Sequence, residues 1–322
     1  MTNAIEVQGL VRAFGAHTAV DGLDWIVPRG AACAILGPNG AGKSTTLRIL
    51  AGLISAHGGE ARVLGLSPWE RREALASTVA FMPEAPFLPD WMTLKGLRSL
   101  NRSLYLRWDD GAFDELVQRF EVPLNQKIGA LSKGQNRRAH LILTLSQGAE
   151  LLLLDEPASG LDVEGRREML RALSEWMADD ATRTIVLSTH VVTDVERFAN
   201  HVTVIDGGTV RADEDLDDLQ LDVKSVEMRR ATYEKLRVSV DASGVLSTTM
   251  HGDHVSLIVR RFRALDPALR TVGPGDVTVS EGESSDVYMA SDGNSILVSH
   301  LSLEDTYLSM TKAGVEGPGG LR

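Results

Sequence analysis

Apolar and polar residues trade places in short stretches over the first part of the chain. AIEVQGLV, TAVDGLDWIV and AACAIL fall between residues 4 and 36, punctuated by glycines and Pro28. Apolar runs of this length, bounded by turn residues, predict short β-strands. Beyond a glycine-rich loop from Gly37 to Ser44, TTLRILAGLI carries apolar residues at helical spacing and predicts a helix. Residues 65 to 130 read as mostly helical, broken by Pro68, Pro83, Pro86, Pro89 and Pro123. Trp91, Trp108 and FDELVQRF lie there at helical spacing and are expected in the core of a helical subdomain rather than in a ligand cage. Asp109 and Asp110 precede a helical pattern and read as caps.

From Leu131 the rhythm changes. The helical pattern GQNRRAHLILTLSQ leads to the apolar run LLLLDEP, VEGRREMLRALSEWM leads to TIVLSTH, and TDVERFAN leads to HVTVIDGGTV. Nearly continuous apolar strands alternating with helices predict a parallel sheet covered on both faces. DEDLDDLQLD then marks an acidic exposed helix or linker, and with it a boundary. Past it, VKSVEM, HVSLIVR and DVTVS alternate as a small β-rich unit would, and LSLEDTYLSMTK closes it as a helix. The tail GVEGPGGLR is expected to be disordered.

Composition narrows the field. The longest strictly apolar runs, such as Leu151 to Leu154, fall far short of the ~20 residues that cross a bilayer. MTNAIEVQGL lacks the basic-then-apolar order of a signal peptide, and the single cysteine, Cys33, sits in an apolar stretch that reads as a buried strand. The expected location is therefore the cytoplasm. A net charge of −11 weighs against binding nucleic acid, because an acidic surface gains nothing by releasing counterions from a phosphate backbone. It says nothing against nucleotides, whose phosphates are held by local amides and one or two cations.

Two segments carry chemistry. Gly37-Pro38-Asn39-Gly40-Ala41-Gly42-Lys43-Ser44, with Thr45 after it, matches the P-loop spacing G-x-x-x-x-G-K-[ST] between an apolar strand and a helix. Its glycines let successive N–H groups turn inward on phosphate oxygens, and the following helix adds its positive end. Lys43 can reach the β- and γ-phosphates, and Ser44 can ligate Mg²⁺. The second segment is Leu151-Leu152-Leu153-Leu154-Asp155-Glu156, a buried strand that delivers two carboxylates at its C-terminal end. Asp155 would hold Mg²⁺ through water, and Glu156 would orient or deprotonate the attacking water.

With those residues in place the chain resembles the nucleotide-binding subunit of an ATP-binding cassette (ABC) transporter. Leu131-Ser132-Lys133-Gly134-Gln135 resembles the LSGGQ signature of that family, with Lys133 in place of a glycine. The resemblance implies that two copies sandwich two ATP molecules head to tail, with Ser132, Gly134 and Gln135 of one facing the γ-phosphate on the P-loop of the other. Ser132 also has the chemistry to cap the helix that follows. Ser159-Gly160-Leu161-Asp162 is similar to the family's D-loop, His190 to its switch histidine, and Phe14 to the aromatic that stacks on adenine. Glu84 in FMPE stands where the family usually has glutamine, and its carboxylate can still ligate Mg²⁺.

Glu84 and the ending LSLEDTYLSMTK resemble a bacterial ABC-2 export-type branch. Within that branch, RWDDGAFDELVQRFEVP and LSKGQ look most like subunits encoded beside GntR-type regulators. The resemblance implies an α/β P-loop NTPase of ABC type: a parallel-sheet core, an N-terminal antiparallel β subdomain and a helical subdomain at about residues 85–150. Residues 1–221 would form this ATPase and 222–322 a small β-rich accessory domain. It implies an ATPase with ATP and Mg²⁺ as cofactors, acting as a homodimer on a separately encoded membrane permease. It would bind no nucleic acid and sit on the inner face of the membrane through that permease. The rival is a soluble ABC protein acting as an ATP-gated clamp in translation or DNA repair. One P-loop, no sustained heptads and no zinc-binding cysteines set it apart from the known clamp types. A scaffold that binds ATP without turnover would not need both Glu156 and His190.

Overall fold

The computed structural model describes residues 3–85, 87–242, 244–262, 279–281, 285–289 and 295–312. The tail GVEGPGGLR, Pro86 and the first part of DVTVS lie outside the described residues. The chain divides into two units, Met1–Asp213 and Glu214–Arg322.

The alternating start of the chain folds as an antiparallel sheet. β1 (Asn3–Phe14) pairs with β2 (His17–Pro28), and Ile5, Val7 and Leu10 point to the buried side while Glu6 and Gln8 face solvent. β3 (Ala32–Leu36) and helix α1 (Lys43–Leu50) follow, after which β4 (Gly58–Val63) returns to the free edge of β1. GGEARV shows no strand pattern of its own. Pairing with β1 recruits it, the kind of tertiary context that outweighs local propensity.

The second sheet of this unit runs β5 (Val79–Met82), β6 (Leu151–Asp155), β7 (Thr184–Ser188), β3, β8 (His201–Asp206) and β9 (Thr209–Asp215). The pairings from β5 through β8 are parallel. Every residue of β3, β6 and β7 is buried, which is why these strands read as continuous apolar runs. β5 corrects the helical reading of residues 65–130. VAFM is too short to show a period, and parallel pairing with Leu151–Leu154 makes it a strand. In register, Ile35 and Asp155 both lie beside Ser188, so β3, β6 and β7 end together.

The remaining helices of this unit are α2 (Arg72–Leu75), α3 (Leu94–Leu104), α4 (Asp110–Phe120), α5 (Lys133–Leu145), α6 (Val163–Ala178) and α7 (Val192–Phe198), with α5 against β5, α7 against β3, and α3 and α4 packed on α5. Phe113 and Phe120 of the FDELVQRF stretch are buried as its spacing implies, and Trp108 lies against Phe113 with ring centroids 5.7 Å apart. Trp91 is the exception, 73% exposed instead of in the core. The Thr93 hydroxyl accepts from Gly96 N at 3.1 Å and starts α3 beyond Trp91, which therefore takes no part in the helix's inner face. Asp109 caps α4 through Ala112 N at 2.9 Å, whereas Asp110 accepts from Arg98 and from the Trp108 indole.

In the second unit the acidic stretch is a helix, α8 (Leu216–Asp222), with Leu216 and Leu219 buried. β10 (Lys224–Arg229), α9 (Arg230–Ala242), β11 (Val245–His251), β12 (His254–Val259), β13 (Val279–Glu281), β14 (Ser285–Met289) and β15 (Ser295–His300) follow, closed by helix Leu303–Lys312. The strands form one sheet in the order β11-β12-β10-β15-β14-β13, all of whose pairings are antiparallel. Val226, Met228, Leu257 and Val298 belong to its core, with Leu236 of α9 against them. Among the described residues, no helix is long and apolar enough to cross a membrane.

Leu153 is fully buried in the middle of β6. Replacing it with alanine should destabilise the first unit by about 2–5 kcal/mol, through lost burial and the cavity left behind. Urea unfolding followed by circular dichroism would measure it; a loss below about 1 kcal/mol would mean the sheet collapses around the gap.

Candidate functional site

A cleft of about 610 Å³ opens over the ends of the parallel strands. Phe14, His17, Ala19, Asn39 to Thr45, Glu84, Glu156, Ser159 and His190 line it. The fold therefore gathers the P-loop, one carboxylate of the DE pair, Glu84, His190 and Phe14 around one space, although the sequence scatters them from residue 14 to residue 190.

The loop between β3 and α1 admits only glycine at two points. A Cβ on Gly42, whose φ is 104°, would stand 2.3 Å from the carbonyl oxygen of Ala19. A Cβ on Gly37 would stand 2.3 Å from that of Ile205. Gly42 also occupies the N-cap of α1, and no side chain caps the helix there. The first-turn amides and the positive end of α1 are thus left for whatever enters the cleft beside Lys43, Ser44 and Thr45. That is an anion site. Lys43 is buried, and its ammonium donates to the carbonyls of Gly37 at 2.7 Å and Pro38 at 3.1 Å. Burial lowers its pKa, against the pull of Glu156, Asp155 and Glu84.

Asp155 is fully buried at the end of β6. Its Oδ1 accepts from the Ser44 hydroxyl at 2.9 Å and the Ser188 hydroxyl at 2.7 Å. Its Oδ2 is buried and has no hydrogen-bond partner among the described residues. A buried carboxylate oxygen left without a donor is costly unless something positive or a water comes to it. Ser44, Asp155 and the exposed carboxylate of Glu84 offer oxygen ligands, the kind that a hard divalent cation takes. The residues present fit Mg²⁺.

Glu156 follows with φ at 46°, a left-handed backbone that costs a non-glycine residue about 1–3 kcal/mol. Its N–H donates to Ser188 O at 3.1 Å and Ser188 Oγ at 3.0 Å, which holds it in this turn. The turn redirects the side chain away from the strand's alternation and toward the cleft, where Oε2 lies 2.8 Å from His190 Nδ1. Burial pushes the Glu156 carboxyl above the usual carboxylate range, while His190 and Lys43 pull it back down. His190 itself is 68% exposed, free to face both the carboxylate and an incoming group.

Phe14 is 47% exposed at the rim, with the Arg12 guanidinium 4.8 Å from its ring centroid on one face. Ser132, Gly134 and Gln135 are not among the cleft's lining residues. They form the start of α5, where Ser132 Oγ accepts from Gln135 N at 3.2 Å and Gln135 Oε1 accepts from Ser132 N at 3.0 Å. This reciprocal cap gives LSKGQ a local structural reason as well. Gly134 lies against Gly160, where a Cβ would meet the Gly160 carbonyl at 3.5 Å, so the LSKGQ and SGLD segments adjoin. Asp162 in turn caps α6 through Gly165 N at 2.8 Å.

Sequence reasoning missed His17, Ser188 and Arg137. Ser188 was legible only as the serine of LSTH, and its role depends on β7 lying in register beside β6. Arg137 sits in a helical pattern where an arginine reads as solvated, and only the fold buries it.

Removing His190 removes the group that most lowers the Glu156 pKa, so His190→Ala should raise that pKa further. Carbon-13 NMR titration of labelled glutamate side chains, with Glu156→Gln for assignment, would read it. A Glu156 pKa that stays put or falls would show that the 2.8 Å contact carries no charge interaction.

A family model described as "ABC transporter" matches residues 20–159. The Nod factor export ATP-binding protein I of Cupriavidus pinatubonensis is 31% identical over 321 residues, covering 97% of this chain and 91% of that protein. The daunorubicin/doxorubicin resistance ATP-binding protein DrrA of Streptomyces peucetius is 32% identical over 268 residues, 78% of each chain. Among solved structures, an ATP-binding subunit of an ABC transporter superposes with a TM-score of 0.62 at 27% identity, over 68% of this chain and 92% of that one.

Proposed function

Because the chain belongs to the ABC transporter ATP-binding family and is an ATPase of export-type kinship, we propose that it works as a homodimer driving a separate membrane permease. The observation that carries the reading is the convergence, in one cleft, of an uncapped P-loop helix with Ser44, Glu156 and His190, with buried Asp155 bonded to Ser44 behind them.

ATP enters with its adenine against the free face of Phe14 and its phosphates on the loop Gly37, Pro38, Asn39, Gly40, Ala41, Gly42. Lys43 and the amides near Ser44 and Thr45 neutralise the β- and γ-phosphates. Ser44, Glu84 and, through water, Asp155 would hold Mg²⁺, which would supply charge neutralisation at the phosphates. Glu156, with its pKa raised by burial and its side chain turned by the left-handed backbone, takes the proton of the attacking water. His190 faces the γ-phosphate and keeps Glu156 oriented.

The exposed Ser132 and the flanking Gly134 and Gln135 are supplied to the nucleotide of a second copy, which explains why they lie outside the first copy's own cleft. Closing that sandwich on ATP and opening it after hydrolysis would move the helices α3 to α5 against the permease. Residues 1–221 would be the motor and 222–322 the accessory part, while the compact units divide earlier, between Asp213 and Glu214, which moves α8 out of the motor. Transport from the inner face of the membrane would place this chain in the cytoplasm beside its permease. Kinship to subunits encoded beside GntR-type regulators remains part of the same proposal.

Lys43→Ala should abolish ATP binding while the circular dichroism stays that of the wild type, because its charge is needed more than its packing. Glu156→Gln should keep ATP bound and lower kcat by a factor of about 10³. It should also accumulate an ATP-dependent dimer in size exclusion. Normal turnover from a Glu156→Gln protein that stays monomeric with Mg²⁺ and ATP would sink the sandwich mechanism.

Glu84→Gln should alter hydrolysis mildly, since an amide oxygen still ligates the metal. Glu84→Ala should lower turnover and weaken its dependence on the permease without loss of ATP affinity. ATPase rate against Mg²⁺ concentration, with and without permease, decides this. Curves that superimpose on wild type in both conditions would remove Glu84 from the site.

A further inference from the structure

Arg137 is 1% exposed, a guanidinium carried into the first unit by the same α5 helix that begins with Ser132. Its Nε donates to Pro157 O at 2.9 Å. One terminal nitrogen donates to Pro83 O at 2.7 Å and Glu84 O at 2.8 Å. The other donates to Asp155 O at 3.0 Å and to Glu156 O. Among the described residues, the hydrogen-bond acceptors of this side chain are all main-chain carbonyls, and they come from two segments: the loop after β5 and the end of β6.

Only arginine offers donors in a planar fork wide enough for that span; a lysine ammonium presents its donors from a single point. Burying the charge is expensive, and burial pulls its pKa down to about 10. What compensates is the company of Asp155, Glu84 and Glu156, the three carboxylates that Lys43 faces from the cleft side. A large apolar side chain would fill the same space at lower cost. The fork is therefore placed for what it holds: it fixes the backbone on either side of the left-handed φ of Glu156 and the backbone that presents Glu84.

We infer that Arg137 is a positioning residue for hydrolysis, which sets Glu156 and Glu84 from the signature helix by gripping their carbonyls. A shift of α5 is thereby passed to the carboxylates of Glu156 and Glu84 together. This rests on the roles given above to Glu156 and Glu84.

The test is ATPase kinetics of the purified full-length chain carrying Arg137→Lys, which keeps the charge and loses the fork. With the P-loop untouched, kcat per bound ATP should fall by about 10²-fold. The Kd for a non-hydrolysable ATP analogue should stay within about twofold of wild type. The Mg²⁺ concentration for half-maximal rate should move as well, because Glu84 is released. Wild-type turnover per bound ATP overturns the inference, whatever happens to the melting temperature, because packing alone would then be the role.

Glu156→Gln is measured beside it. If that variant hydrolyses normally, the reading of Glu156 fails; if it is dead while Arg137→Lys turns over normally, only the Arg137 inference fails. Should Arg137→Lys not fold, hydrogen exchange on the wild-type chain replaces it. Adding Mg²⁺ and the analogue should then slow amides of 84–85, of 155, 156 and 158 and of 134–138 as one group. A change in one of these segments without the others overturns the proposal.

Discussion

Burying β6 on both faces leaves its side chains nothing to do along their length except pack, so chemistry can appear only where the strand ends. Leu151 to Leu154 fill the sheet, and the next two residues are carboxylates that must be reconciled with a dry interior. Asp155 is satisfied on one oxygen by two hydroxyls and left open on the other. Glu156 escapes the strand through a left-handed turn pinned by Ser188. Everything else at the site is arranged around this strand end: the P-loop through Ser44, His190 through its contact with Glu156, and Glu84 through the shared arginine.

That arrangement explains why charge is concentrated where the core would otherwise exclude it. Lys43 and Arg137 flank Asp155, Glu156 and Glu84 from two sides, so the acids sit between two partly desolvated cations. The strained backbone at Glu156 is tolerable because the hydrogen bonds its N–H donates to Ser188 and its carbonyl accepts from Arg137 over-determine it.

The LSKGQ segment shows how one short sequence can serve two demands. Within the chain its serine and glutamine satisfy each other's backbone amides at the start of α5. Ser132 and Lys133 nevertheless remain exposed, which leaves them free to meet another molecule. Gly134, next along the helix, adjoins Gly160, where a Cβ would make an ordinary contact of 3.5 Å with the Gly160 carbonyl. Capping and exposure are thus combined in the same five residues.

The local signals were strong wherever one physical cause dominates. G-x-x-x-x-G-K-S needs glycine backbone and a helix end, and continuous apolar strands need burial on both faces, so both were legible in the chain itself. The alternating strands VKSVEM and HVSLIVR and the amphipathic closing helix were legible for the same reason, whereas α9 and β11 between those strands were not read from the sequence. What the sequence could not decide were the features set by partners distant along the chain. GGEARV became β4 only because β1 had a free edge, and VAFM became β5 only because Leu151–Leu154 lay alongside. Trp91 shares the spacing of a core residue yet stands exposed, because the Thr93 cap starts the helix after it. Arg137 looks like one more polar position on a helix. Its burial, and its hold on five carbonyls, exist only once α5, the loop after β5 and the end of β6 are folded together, because hydrogen-bond geometry depends on three-dimensional position and not on order along the chain.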